Sequence, residues 1–183
     1  MESKGKINFK MFTPLLSLLI ICSVTTGLLA FVKKVTDESI KKQGEEVVRE
    51  SCRRVLPEGK EFIKSDEKYG DIIEFYTAKD GGETIIGYVF ITEAKGYGGQ
   101  ITVMTGIFEN GNISGIDIVE SFETPGLGQK SEEEWFRDRY KMKHTVAEVS
   151  EVEGITGATI TSKAVTEAVS KALLAYQLVV DVD

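Results

Sequence analysis

An uncharged apolar segment near the start of the chain places the strongest limit on what this sequence can fold into. From Met11 to Val32 no side chain is charged, and Leu, Ile, Val and Phe predominate. As an α-helix, residues 11–32 would span about 33 Å, close to the roughly 30 Å hydrocarbon core of a membrane. A soluble core helix of this length would carry a polar stripe, and the scattered Ser and Thr residues form only a weak one. The segment therefore predicts a single transmembrane helix over residues 11–32.

Two other interpretations of this apolar segment fit less well. A cleaved signal peptide has a shorter apolar region and a small-x-small cleavage site, which Gly27–Ala30 matches poorly. A lipoprotein signal needs a small residue before its cysteine, whereas Cys22 follows Ile21. An uncleaved anchor is favoured. Its orientation stays open from charge alone, because three lysines precede the segment and two follow it directly.

Charge and cysteine content exclude several classes of function. The chain has 22 Lys and Arg against 29 Asp and Glu, a formal net charge of −7, whereas a nucleic-acid-binding domain presents a basic face. Cys22 lies in the predicted span and Cys52 outside it, so a disulfide framework within the chain is excluded. His144 is the one histidine. A zinc or iron–sulfur site built by this protein is therefore not expected, and neither is a nucleic-acid partner.

The segment after the span combines a charged stem with an amphipathic helix. Apolar residues recur at helical spacing around Val48 and Val55, and Pro57 marks the end of the pattern. Cys52 lies on the apolar side of this helix, which favours a buried structural thiol over a reactive one. These patterns divide the chain into residues 1–10, a span at 11–32, a stem and helix at 33–57, and a soluble domain at 58–183.

Two β-hairpins are predicted in the first half of the soluble domain. Asp-Gly and Asn-Gly dipeptides are typical of tight hairpin turns between β-rich runs. The paired runs are 72–77 with 84–92, around Asp80-Gly81, and 100–108 with 113–119, around Asn110-Gly111. Between the hairpins, the loop 96–99 (Gly-Tyr-Gly-Gly) lacks the third glycine of a dinucleotide-binding fingerprint, so it is interpreted as a turn.

A proline–glycine loop, residues 123–128, follows the second hairpin. Pro125 fixes one backbone dihedral angle and Gly126 frees the next, which is typical of a type II turn. The turn is either purely structural or a loop pressed against a flat ligand. Beyond it, residues 131–134 (Ser-Glu-Glu-Glu) predict a capping box that opens a helix, and residues 144–152 predict an extended segment.

The stretch Gly154–Ser162 places four hydroxyl side chains around Gly157 and Ala158. Apolar residues at helical spacing follow it and predict a helix that begins near Thr161 or Ser162 and ends near Val179. A helix N-terminus offers unpaired N–H groups and a positive dipole end, which suit a phosphate. The alternative is that Thr161 or Ser162 is an N-cap and nothing more. The local pattern leaves both interpretations open.

Together, the 123–128 loop and residues 156–165 (Thr-Gly-Ala-Thr-Ile-Thr-Ser-Lys-Ala-Val) resemble the FMN-binding domain family. With the N-terminal span, the layout resembles the G subunits of Rnf electron-transport complexes, and the related C subunits of sodium-pumping NADH:quinone reductases are similar but generally longer. The resemblance covers the core motif region, residues 95–175. It implies an α+β fold, with a single N-terminal transmembrane helix and one soluble domain built on a twisted, largely antiparallel, half-barrel-like sheet flanked by helices.

The resemblance also implies a covalent cofactor. In this family the FMN phosphate is esterified to the last hydroxyl of a D/S-x-x-T/S-G-A-T/S pattern, which here falls on Thr159. Thr156 is the other hydroxyl of the pattern, and Glu153 stands at its first position, where Asp or Ser is usual. A separate flavin transferase is expected to attach the group from FAD. The remaining flavin contacts implied are Glu123, Thr124, Gly126, Leu127, Gly128, Gly157, Ala158, Ile160 and Thr161.

The function implied is that of a membrane-anchored electron carrier in an Rnf-type complex that couples ferredoxin and NAD oxidoreduction to ion transport. Its partners would be the membrane, the flavin transferase and redox subunits carrying flavin and iron–sulfur groups. The family's transferase acts outside the cytoplasm, so the soluble domain is expected there and residues 1–10 in the cytoplasm. No residue resembles a general acid or base. The alternatives are a free-standing extracytoplasmic flavoprotein reducing a terminal acceptor, a C subunit of a sodium-pumping reductase, or a binding module whose threonine stays unmodified.

Overall fold

A computed structural model describes residues 13–67 and 69–181. The predicted N-terminus, residues 1–10, and the first two residues of the predicted span lie outside the described residues. The helices are α1 (Thr13–Val55), α2 (Glu134–Arg137), α3 (Val146–Ser150) and α4 (Thr159–Val180). The strands are β1 (Glu61–Lys64), β2 (Ile72–Lys79), β3 (Ile85–Lys95), β4 (Gln100–Phe108) and β5 (Ile113–Ser121). Short 3-10 helices occupy Gly128–Glu132 and Asp138–Tyr140.

The chain forms two units, residues 1–46 and residues 47–183. In the first unit, the α1 segment Pro14–Lys33 has a mean hydropathy of 2.4 and no buried residues, and it is long and apolar enough to cross a membrane. This segment coincides with the predicted span. Helix α1 then continues without a break through the predicted charged stem to Val55.

The second unit begins on the last turns of α1, which pack against the sheet. Ser51, Cys52, Val55 and Leu56 are all buried there. The helix ends just before Pro57, as predicted, since the residue preceding a proline is disfavoured in helical conformation. Burial raises the pKa of the Cys52 thiol to about 12, because the thiolate would lose its hydration. The prediction that Cys52 is buried is confirmed.

The five strands form one antiparallel sheet in which each strand pairs with the next along the chain. Both predicted hairpins are present, and Gly81 and Gly111 in their turns have φ angles of 94° and 84°, which favour glycine. Strand β1, which pairs with the end of β2, was not predicted. The predicted α+β fold, with a largely antiparallel sheet flanked by helices, is confirmed.

The sheet buries both of its faces, because side chains alternate between the faces along each strand. On β3, Phe90 belongs to the core shared with α4, whereas Val89 and Ile91 belong to the core shared with the end of α1. Small residues on α4 let the helix lie close to the sheet, and the Thr92 hydroxyl on β3 donates to the carbonyl of Ala168 over 2.9 Å. The buried stripe of α4 includes Ala164, Val165, Ala168, Val169, Ala172 and Leu173.

Two local predictions between β5 and α4 are wrong. The Ser131 hydroxyl donates to the carbonyl of Gly128 over 2.7 Å inside a 3-10 turn, so it does not cap a helix, and α2 begins without a side-chain cap. Residues 146–150 form the helix α3 instead of an extended segment. Thr145 and Glu148 make a reciprocal capping box there, with the Thr145 hydroxyl accepting from the Glu148 N–H over 3.2 Å.

Gly106 provides a test of how α1 joins the sheet. A Cβ added at this position on β4 would lie 2.5 Å from the carbonyl oxygen of Val55. We expect Gly106→Ala to lower the free energy of unfolding by about 1–3 kcal/mol, because the end of α1 must shift off the sheet. Urea unfolding of the full chain in detergent, followed by the fluorescence of its one tryptophan, Trp135, measures this loss.

Gly82→Ala is the control for this experiment. Gly82 lies in the exposed β2–β3 turn, where an added Cβ meets only a side-chain oxygen of Asp80, at 3.2 Å. This variant should unfold like the wild type. Equal stabilities for the Gly106 variant and the wild type would contradict the close packing of α1 on β4.

Candidate functional site

A cleft of about 570 Å³ opens where three segments of the domain meet. These segments are the β3–β4 turn, the loop that follows β5 and the N-terminal end of α4. Its volume lies in the range of small-molecule and cofactor sites in proteins. The lining residues are Tyr97, Glu123, Thr124, Leu127, Gly128, Gly157, Ala158, Thr159, Ile160 and Thr161.

A buried carboxylate, that of Glu123, holds the three segments together. The residue is 5% exposed, and its Oε1 accepts hydrogen bonds from the N–H groups of Tyr97 and Gly98 over 2.7 and 3.2 Å. Its Oε2 accepts from the Thr161 hydroxyl over 2.8 Å. Burying a charge is costly unless hydrogen bonds replace the lost water, and here both oxygens have donors. The carboxylate therefore links the β3–β4 turn to the first turn of α4.

Two glycines around Glu123, Gly96 and Gly128, follow from the position of its side chain. A Cβ at Gly96 would lie 2.1 Å from Oε1 of Glu123, and one at Gly128 would lie 2.6 Å from the Cβ of Glu123. At Gly98 the clash would be with the carbonyl oxygen of Phe122, at 2.0 Å. The loop 96–99 was interpreted only as a turn, and it is one, with the Gly96 N–H donating to the Gly99 carbonyl over 2.8 Å. Its glycines let it close around Glu123.

Helix α4 begins at Thr159, two or three residues before the predicted start near Thr161 or Ser162. The prediction that Thr161 or Ser162 caps the helix is therefore wrong, because both lie in its first turn and their hydroxyls are used elsewhere. Thr161 donates to Glu123, and the Ser162 hydroxyl accepts from the Ile155 N–H over 2.8 Å and donates to the Ala158 carbonyl over 2.9 Å. These bonds fix the loop before α4 onto its first turn.

Thr159 is the first residue of α4, and its side chain is exposed at the cleft. The residue before it, Ala158, has no side chain that could cap the helix, and Gly157 turns the chain with a φ of 84°. The first N–H groups of a helix point outward and carry its positive dipole end. This helix end therefore leaves room for an anion beside the Thr159 hydroxyl.

Most of the sequence-predicted site residues meet at the cleft. Gly126 and Thr156 do not line it: Gly126 has a φ of 90° with open space where a Cβ would be, and Thr156 is exposed in the loop before α4. Tyr97 lines the cleft but was missed, although the Gly-Tyr-Gly-Gly sequence was noted. The predicted residues that do line the cleft are Glu123, Thr124, Leu127, Gly128, Gly157, Ala158, Thr159, Ile160 and Thr161.

Residues 96–174 match the FMN-binding domain family, and this range contains every residue that lines the cleft. Among similar proteins, the G subunit of the Na(+)-translocating ferredoxin:NAD(+) oxidoreductase complex of Acetobacterium woodii is 35% identical, with 97% of this chain and 98% of that protein covered. The G subunit of the proton-translocating ferredoxin:NAD(+) oxidoreductase complex of Clostridium ljungdahlii is 30% identical, with 93% and 94% covered.

A solved structure shares the fold. The C subunit of the Na(+)-translocating NADH-quinone reductase of Parabacteroides distasonis superposes with a TM-score of 0.56 and 21% identity. The superposition covers 76% of this chain and 94% of that one. The two proteins therefore share a fold despite their low sequence identity.

The role of Glu123 in shaping the cleft can be tested by substitution. Glu123→Ala leaves the N–H groups of Tyr97 and Gly98 and the Thr161 hydroxyl without their acceptor. The Thr161 hydroxyl is buried, and a buried donor left unpaired costs about 1–3 kcal/mol, so urea unfolding of the full chain should show a loss of about that size. Glu123→Gln keeps the shape and one carbonyl acceptor, and should lose less.

Ser121→Ala is the control for this experiment. Its hydroxyl accepts a longer, 3.3 Å bond from the Glu123 N–H and is half-buried. We expect its stability to stay close to that of the wild type. If Glu123→Ala is no less stable than Ser121→Ala, the carboxylate does not hold the cleft together.

Proposed function

The chain belongs to the family of G subunits of ion-translocating oxidoreductase complexes, and from this membership we propose that it is the membrane-anchored, FMN-carrying electron-transfer subunit of such a complex. The relatives named above match nearly its whole length, and their names give the reaction as ferredoxin:NAD oxidoreduction coupled to ion translocation. One is named for Na⁺ and the other for protons, so the ion differs between members of the family. The partners proposed are the other redox subunits of the complex.

The observation that carries this proposal is the position of Thr159. Its exposed hydroxyl stands at the first residue of α4, beside a helix end without a side-chain cap and on the wall of the cleft. The residues present fit FMN: the start of α4 suits its phosphate, and the exposed apolar side chains of Leu127 and Ile160 suit its ring. We propose that FMN is held covalently, through its phosphate, on Thr159.

The attachment proposed is a phosphoryl transfer from FAD, carried out by a separate flavin transferase. One bond forms, between Oγ1 of Thr159 and the phosphorus that bears the flavin. One bond breaks, between that phosphorus and AMP, which leaves while the threonine hydroxyl loses its proton. No group is oxidised or reduced. The product is a phosphodiester with one negative charge, and the N-terminal dipole of α4 stabilises such a charge by about 0.3–1 kcal/mol.

FMN supplies the redox chemistry when bound, and the chain supplies attachment and orientation. Glu123 fixes the β3–β4 turn against α4, so the walls of the cleft keep their spacing. Leu127 lies against Gly157, with its Cδ2 3.5 Å from where a Cβ would stand. Leu127 and Ile160 give the cleft an apolar border against which a flavin ring could pack. This arrangement supports the proposed role of the chain as an electron carrier.

The alternative as a C subunit of a sodium-pumping reductase has less support. The likeness to a solved C subunit is one of fold, at 21% identity over 76% of the chain. The relatives at 30% identity or more match over at least 93% of the chain and are G subunits.

We further propose that α1 anchors the protein in the membrane and that the domain lies outside the cytoplasm. The apolar segment Pro14–Lys33 supports the anchor. The orientation follows from the attachment reaction, because a transferase that acts outside the cytoplasm must reach Thr159 there. The cytoplasmic segment would then be residues 1–10.

The attachment site is tested by substituting the two hydroxyls of the motif. When the native transferase is present, Thr159→Val should carry no flavin after denaturation, because it lacks the attacking oxygen, whereas Thr159→Ser should keep it. Thr156→Val is the matched control and should also keep its flavin. In-gel flavin fluorescence and the mass of the peptide containing residue 159 measure the outcome. Flavin that stays on Thr159→Val after denaturation places the attachment elsewhere.

The orientation is tested by adding one cysteine at a time to the native chain and labelling with a maleimide that does not cross membranes. Glu83→Cys, in the exposed β2–β3 turn, should be labelled in intact spheroplasts, because the domain faces outward. Ser3→Cys, in the predicted cytoplasmic segment, should be labelled only after lysis. Cys52 is buried and serves as the internal unlabelled thiol. The reverse labelling pattern would place the domain in the cytoplasm.

A further inference from the structure

Tyr97 brings an aromatic side chain to the cleft. The residue is 72% exposed and comes from the β3–β4 turn, whereas Leu127 and Ile160 reach the same cleft from the two other segments. A group of large apolar side chains exposed together at one cleft is a common mark of a binding site. The hydrogen bond from Tyr97 to Glu123 is made by the backbone N–H group, so it fixes the turn and leaves the ring available to a ligand.

The turn that carries this ring is fixed before any ligand arrives. The Tyr97 N–H donates to Oε1 of Glu123 over 2.7 Å, and the Gly98 N–H donates to the same oxygen over 3.2 Å. Gly96 and Gly98 on either side have no room for a Cβ. Binding then has to order only the side chain of Tyr97, because the backbone is already ordered, and pre-ordering of this kind lowers the cost of binding.

The other border of the cleft is aliphatic. Leu127 and Ile160 are 49% and 54% exposed, and Leu127 lies against Gly157, two residues before the proposed attachment point. An exposed aromatic ring and two exposed aliphatic side chains around one cleft favour a flat aromatic ligand. Offset stacking on an aromatic residue adds to the gain from the buried area.

We infer that the Tyr97 ring stacks against the isoalloxazine ring of the flavin, with Leu127 and Ile160 bordering the rest of that ring. The inference rests on the proposed function, since the flavin reaches the cleft through its tether on Thr159. Stacking has an optical consequence. A phenol in contact with a photoexcited flavin transfers one electron to it and then takes the electron back without emission, so the flavin fluorescence is quenched with no net oxidation.

Phe122 provides a matched control. It is also exposed, at 64%, and lies next to the same turn, 3.3 Å from where a Cβ of Gly99 would stand, but it does not line the cleft. Its substitution removes a neighbouring exposed aromatic ring and leaves the Tyr97 ring unchanged.

The experiment compares full-length protein in detergent, produced with the native transferase, as wild type, Tyr97→Phe, Tyr97→Leu, Tyr97→Trp and Phe122→Leu. Fluorescence after denaturation gives the amount of covalent flavin in each protein. Native fluorescence, divided by that amount, reports the stacking. Tyr97→Phe keeps the volume of the ring while removing the readily oxidised phenol. It therefore still allows the measurement if Tyr97→Leu is poorly flavinylated.

We expect Tyr97→Phe and Tyr97→Leu to raise the native fluorescence per flavin several-fold at unchanged covalent flavin content. Tyr97→Trp should stay quenched, because indole is also readily oxidised, and Phe122→Leu should match the wild type. Wild-type fluorescence in both the Phe and the Leu variants, or an equal rise in Phe122→Leu, would overturn the inference and leave the proposed function intact. No covalent flavin in the denatured wild type would overturn the proposed function and the inference with it.

Discussion

The cleft depends on one buried charge, the carboxylate of Glu123. Its hydrogen bonds join backbone and side-chain groups that are 26 and 38 residues away along the chain. A carboxylate excluded from water is stable only where donors surround it, so the β3–β4 turn and the first turn of α4 have to converge on it. Gly96 and Gly128 follow from the same constraint, because any side chain there would meet Glu123 itself.

The same arrangement leaves the N-terminus of α4 open to the proposed phosphate. Glu123 is bound by the hydroxyl of Thr161 and by N–H groups of the β3–β4 turn, not by the helix backbone. The first N–H groups of α4 therefore remain for a second anion outside it, next to Thr159. A buried carboxylate can thus build the cleft without occupying the position that a phosphate needs. A phosphate held on Thr159, as proposed, would gain from the positive end of the helix dipole.

Much of this structure could be predicted from the sequence, because the decisive signals are local. Asp-Gly and Asn-Gly turns identify both hairpins, and the apolar periodicity after Ser162 identifies α4. The error at the start of α4 came where a distant contact overrides a local preference. Thr161 and Ser162 are good N-cap residues, but their hydroxyls hydrogen-bond elsewhere. Thr161 donates to Glu123, Ser162 accepts from the Ile155 N–H, and the helix begins before both. Tyr97 was missed for the same reason, since only the bond to Glu123 brings its turn to the site.

The phosphorus-31 spectrum of the mature protein, denatured in a phosphorus-free detergent or urea, tests the ester at Thr159 most directly. An ester there predicts one resonance that stays with the chain after denaturation and whose shift is constant between about pH 5 and pH 8, because a phosphodiester has no second ionisation near pH 6. A resonance that is lost on denaturation, or that moves through about pH 6 as a phosphomonoester does, would contradict an ester at Thr159.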